Sequence, residues 1–108
     1  MNLQLAESIG TYFVTCNGTD TTRITDCFTQ NAVVFDEGKT HRGHGAIQSW
    51  LQESRKKFEY CTEPISTAQV GESVTVVAKI TGNFPGSPIQ LRHSFQLKSG
   101  KIQSLEIN

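Results

Sequence analysis

The chain has no excess of either charge: Lys and Arg total 10, Asp and Glu total 10, and the formal net charge is +0. Its overall field neither draws in nucleic acid nor repels it, so a small or neutral partner fits better than a polyanion. Cysteine is scarce and odd in number. Cys16, Cys27 and Cys61 form neither a zinc pattern nor a closed disulfide framework, and they read as reduced, mostly buried thiols. Met1 to Leu5 places no cationic segment ahead of a long apolar run, and no uninterrupted apolar stretch is long enough to cross a bilayer. The expectation is a soluble, cytoplasmic protein with no membrane partner. Repeats, linkers and low-complexity tracts are absent. At 108 residues the chain suits one domain, 1–108, able to bury roughly two thirds of the surface its unfolded form exposes.

Several short motifs fail on their surroundings. Gly38-Lys39-Thr40 has the end of a phosphate-binding loop, but that loop needs a glycine where this chain has Val33. His41 and His44, with Glu37 nearby, are metal-ligating types on a glycine-rich loop that would hold an ion poorly, so no metal and no cofactor is expected. Arg55-Lys56-Lys57 is a short basic run that suits a helix C-terminus and is too brief for nucleic acid. Asn17-Gly18-Thr19 matches a glycosylation acceptor, but reads as a helix-ending turn.

What is present is clear periodicity. Leu5, Ile9, Tyr12, Phe13 and Cys16 recur at helical spacing, and Asn17-Gly18 supplies residues that tolerate a left-handed helix end. Thr19 or Asp20 can cap a second, shorter helix with Ile24, Cys27 and Phe28 on its buried stripe, ending near Gln30. Val33, Val34 and Phe35 predict a strand that delivers Asp36 to its end, and Gly38-Lys39 a tight turn into another short strand. Gly43 and Gly45 precede a third helix with Ile47, Trp50, Leu51 and Phe58 along one side. After Pro64 the period becomes two. Val74, Val76, Ala78 and Ile80 share one strand face, and beyond a reversal at residues 82–88 so do Ile89, Leu91, His93, Phe95 and Leu97. Ser99-Gly100 closes a hairpin into a last strand. The order predicts an α+β fold, with three N-terminal helices gathered on one face of a curved antiparallel sheet, and an apolar cavity at its open end.

The run Ala-Val-Val-Phe-Asp-x-Gly…Arg-Gly-x-x-Ala-Ile-x-x-Trp and the element order resemble the nuclear transport factor 2-like superfamily over nearly the whole chain. That resemblance implies a cone-shaped, cystatin-like α+β barrel. The superfamily includes ketosteroid isomerases, SnoaL-like polyketide cyclases, scytalone dehydratase and limonene epoxide hydrolase, with members that only bind ligands or proteins, so fold alone does not choose an activity. Against the ketosteroid isomerases, Asp36 stands at the position of the base. Tyr12, 24 residues earlier, falls on the tyrosine of the oxyanion hole. The third position departs: His93 replaces the second acid. The resemblance also implies a homodimer through the outer sheet face, which Gln90, Arg92, Ser94 and Gln96 would make wet and hydrogen-bonded.

Abstracting a proton beside a carbonyl needs a base within reach and a donor aimed at the oxygen that gains charge. Asp36 can be that base, with Tyr12 or a protonated His93 as donor; Phe13, Phe35, Trp50, Leu91 and Phe95 are the expected ligand-binding walls. Each reactive residue also has an ordinary reading: Tyr12 as a core-edge tyrosine, Asp36 as a turn residue, His93 as a core histidine with one partner. Three functions therefore stand side by side. One is an isomerase, cyclase or dehydratase acting on a small apolar carbonyl compound. The others are a ligand-binding domain without chemistry and an interaction or dimerisation module whose cavity is plugged by its own Phe and Trp side chains.

Overall fold

The apolar stripe of the first segment forms helix α1 (Glu7–Asn17), which buries Ile9, Tyr12, Phe13 and Cys16. These coordinates, a computed structural model, describe residues 5–18 and 20–108, so Thr19, expected as a cap and as part of the acceptor motif, lies outside them. Gly18 ends α1 in extended rather than left-handed backbone, its N–H donating to the Thr15 carbonyl. The Asn17 side chain makes the stop instead, donating to the Thr62 carbonyl at 2.7 Å and accepting from the Thr62 N–H at 2.7 Å.

The second helix is a short 3-10 turn, Thr22–Cys27, with Asp20 Oδ1 accepting from the Thr22 N–H and hydroxyl at 3.0 and 2.6 Å. It stops earlier than the spacing predicts, because Phe28 opens strand β1 (Phe28–Asp36). Among the described residues the remaining elements are β2 (Lys39–Arg42), α2 (His44–Lys57), β3 (Tyr60–Val70), β4 (Ser73–Gly82), β5 (Ile89–Lys98) and β6 (Lys101–Ile107). The third helix follows the two short strands, in the order the residues predict, so it stands mid-chain and only the first two helical segments are N-terminal. Phe58 is its extended C-cap and not part of its face.

The strands form one sheet in the order β2-β1-β6-β5-β4-β3. Four of its pairings are antiparallel, but β1 and β6 run parallel, which corrects the all-antiparallel expectation. Hairpins account for the antiparallel pairs; joining the chain's first strand to its last is a long-range closure that no local pattern encodes. Strand β3 is an edge strand whose register shifts between Pro64 and Ser66. A proline there is tolerated because an edge has an unpaired side, and the irregularity helps bend the sheet. The concave face closes on α1 and α2 around Ile9, Val34, Ile47, Leu51, Val76, Phe95 and Leu105, all at most 1% exposed. No helix among the described residues is long and apolar enough to cross a membrane.

Candidate active-site cavity

Alternation along β1 sends Ala32, Val34 and Asp36 toward the helices and leaves Phe35 42% exposed on the other side. Glu37 and Gly38 then turn back with φ of 52° and 74°, the left-handed pair that a two-residue hairpin demands. Asp36 is thereby fixed at the lip of a cavity of about 430 Å³ between the helices and the far end of the sheet. Tyr12 and Cys16 from α1, Trp50 from α2, Tyr60 from β3, and Leu91 and His93 from β5 also line it.

The three residues expected to carry chemistry, Tyr12, Asp36 and His93, thus border one space, together with Trp50 and Leu91. The three phenylalanines expected beside them do not. Phe13 and Phe95 are packed in the core, 4% and 0% exposed, where they hold Tyr12 edge-on at 5.1 and 5.6 Å between ring centroids. Phe35 faces away by the alternation just described.

Tyr12 is enclosed by aromatic rings, with His93 at 6.3 Å. Burial pushes its phenol well above the usual value, with the neighbouring Cys16, Tyr60 and Asp36 adding in the same direction. The hydroxyl therefore keeps its proton and is a donor at all ordinary pH. Burial likewise drives the Cys16 thiol up to about 12, so it is not a nucleophile at neutral pH. Cys16 and Cys27 are buried free thiols, whereas Cys61 is exposed.

Asp36 is half-buried, and desolvation raises its pKa; the charge of Glu37 adds to the rise, while the Trp50 indole and His41 oppose it. The Trp50 Nε1–H donates to Asp36 Oδ2 at 3.1 Å. His93 moves the other way. Its burial lowers the imidazole to about 4, so the ring is neutral near pH 7, which removes the protonated histidine from the expected donors. Its Nδ1 lies 3.4 Å from the Leu91 carbonyl, and in the tautomer that donates there Nε2 is left as an acceptor.

Tyr60 is the wall residue that sequence reading missed. It sits opposite Gly82 in the β3–β4 register, and a Cβ at Gly82 would collide with the Glu59 carbonyl and the Tyr60 backbone. The missing side chain is what lets Tyr60 sit so close. The Arg55 guanidinium lies over its ring at 4.8 Å and donates to its carbonyl at 2.8 Å. The rest of the wall is largely apolar. Phe58 and Phe84 meet edge-on at 5.9 Å on the wall without filling the space. Among the described residues, no group of His, Cys, Asp and Glu is arranged to hold a metal ion.

A curved sheet folded over a helix, with a desolvated carboxylate and a protonated tyrosine on one apolar cavity, defines an α+β fold of the nuclear transport factor 2-like type. Residues 9–105 match the SnoaL-like domain, and the chain belongs to that family. It is similar to a protein of Sinorhizobium meliloti provisionally named a polyketide cyclase, with 38% identity, a TM-score of 0.92, and 96% of this chain and 95% of that one covered. A Catenulispora acidiphila protein of ketosteroid isomerase-like fold, solved with trimethylamine, shares the fold at 17% identity and a TM-score of 0.86, covering 97% and 86%. A provisionally assigned isomerase of the SnoaL-like family from Agrobacterium tumefaciens does so at 16% identity and 0.78, covering 93% and 92%. Comparison with curated proteins gives no significant match.

Proposed function

We propose that this protein binds a small, largely apolar carbonyl compound in the cavity and moves a proton on it, as an isomerase, cyclase or dehydratase. The observation that carries the reading is Asp36: a carboxylate raised by desolvation, on the wall of an apolar cavity that it shares with Tyr12, whose phenol is kept in its protonated form near neutral pH by burial. Desolvation strengthens the carboxylate as a base toward a carbon acid. Asp36 takes the proton from the carbon beside the carbonyl, and the C–H electron pair becomes the enolate. Tyr12 donates a hydrogen bond to the enolate oxygen. Return of the proton to another carbon isomerises the substrate; attack of the enolate carbon on a second carbonyl of the same molecule closes a ring. The provisional cyclase name of the Sinorhizobium relative and the trimethylamine in the Catenulispora structure both support a small-molecule pocket.

Binding without turnover is favoured by one observation, the neutral His93 standing where the resemblance implies a second acid. That leaves Tyr12 as the principal oxygen donor. The two readings separate on Asp36→Asn, assayed over a panel of enolisable ketones. The catalytic reading expects kcat to fall by roughly 10²- to 10⁴-fold, the usual contribution of a general base, with ligand affinity little changed. Retained turnover would remove Asp36 as the base. The reading also includes a homodimer across the exposed face bearing Gln90 and Gln96, for which light scattering should give twice the chain mass, and a cytoplasmic setting in which Cys61 stays reduced.

A further inference from the structure

A carboxylate is a more effective base when one oxygen is held so that the other is presented to the substrate. We infer that Trp50 is the positioning residue for Asp36, its indole N–H fixing Oδ2 at 3.1 Å and leaving Oδ1 as the oxygen that takes the substrate proton. This rests on Asp36 being the base.

Both partners stand on rigid elements. Trp50 projects from the same side of α2 as Ile47 and Leu51, which are 0% and 1% exposed and anchor that helix to the core. The His41 ring of β2 lies against the indole at 6.0 Å with a 35° tilt, and β2 is paired to β1 through Asp36↔Lys39. The hairpin that carries the carboxylate therefore also supports the indole that holds it. Trp50 and Asp36 line the same cavity, so the bond forms at the ligand surface.

The chemistry of the donor fits the task. A guanidinium or ammonium in this place would draw the carboxylate down and weaken it as a base. A neutral N–H fixes its orientation at a much smaller cost in basicity. The other titratable groups facing Asp36 are Glu37 from its own turn, His41 from β2 and Tyr12 from α1, and Lys57 lines the same cavity from α2. None of their side chains combines a neutral donor with a direct bond to the carboxylate among the described residues, and the Glu37 backbone N–H, which also faces it, belongs to the turn itself.

The chain has one tryptophan, so its indole N–H gives a single unambiguous tryptophan side-chain resonance in a nitrogen–proton correlation spectrum. In the parent protein that resonance should titrate with the Asp36 carboxyl carbon, and Asp36→Asn should abolish its pH dependence. Trp50→Phe should move the Asp36 carboxyl titration to higher pH, because a bond that favours the charged form is lost. The acid limb of kcat/KM should follow it. At neutral pH, kcat should fall roughly 10- to 100-fold, the range for a hydrogen bond to a charged group, with KM changed far less. An indole resonance indifferent to Asp36, or a carboxyl titration unmoved by Trp50→Phe, would overturn the inference. The parent-protein spectra decide it even if Trp50→Phe fails to fold. If the indole and carboxyl titrate together but the parent turns over no carbonyl compound, the hold on Asp36 stands and the catalytic reading fails.

Discussion

The inner face of β4 and β5 has two halves built from one alternating pattern. Toward one end Val74, Val76 and Phe95 are 3%, 0% and 0% exposed in the core, with Phe13 of α1 and Phe95 in ring contact at 6.1 Å. Toward the other, Ile80, Ile89 and Leu91 point the same way but look into the cavity. The sequence alternation is equally good in both halves. Period two decides which side chains face inward; whether they become core or wall depends on where the helices overhead stop. His93 sits at the boundary, closed in by Phe13 and Phe95 yet bordering the cavity.

Four substitutions break or sharpen that contrast. The largest effect is expected at the packed end: Phe95→Ala should cost about 3–5 kcal/mol of unfolding free energy in denaturant titration, whereas Leu91→Ala should cost about 1 kcal/mol, since its side chain already borders empty space. Equal costs would mean that the two halves are packed alike.

At the boundary, His93 makes stability depend on pH. Its folded pKa lies near 4, below the ordinary 6.5, so between those values the unfolded chain binds a proton that the folded chain does not. Stability then falls as pH drops from 6.5 toward 4, by on the order of 3 kcal/mol, and is unaffected above that window. His93→Gln should flatten this acid limb in urea melts at a series of pH values. An unchanged slope would assign the acid sensitivity elsewhere.

The smallest effect belongs to the open end. The raised pKa of Asp36 means that the folded state holds a proton longer than the unfolded one, so stability falls as pH rises from the usual carboxylate range through the raised value. Asp36→Asn should therefore raise the melting temperature at neutral pH by a few degrees, a stabilisation obtained by giving up function.

Much of this organisation is legible in the residues. The spacing of Ile9, Tyr12, Phe13 and Cys16 gives α1 and its buried face, and the alternation from Ile89 to Leu97 puts His93 inward. Ser99 and Gly100, with φ of 53° and 82°, make the expected hairpin. The failures have physical causes. Phe28 fits both a helical stripe and the start of a strand, and its pairing with β6 resolves it as strand. Strand β3 has little apolar alternation, with Thr62 the buried polar residue in its span; it is a strand because β4 offers it a ladder, and Tyr60 was overlooked with it. The Trp50–Asp36 bond joins side chains 14 residues apart across a turn and two elements, and only the folded chain brings them together. Phe35 is apolar enough to suggest a cavity wall, but its position between Val34 and Asp36 turns it to the outer face.

The proposed chemistry turns on whether Asp36 takes a proton from carbon. Incubating the protein in heavy water with an enolisable ketone that it binds, and following loss of the proton beside the carbonyl by NMR, reads that step without requiring a product to be guessed. Exchange by the parent protein that Asp36→Asn lowers at least a hundredfold, with the ketone still bound, is the predicted result. Equal exchange in both proteins, or none in the parent with the ketone bound, would contradict it.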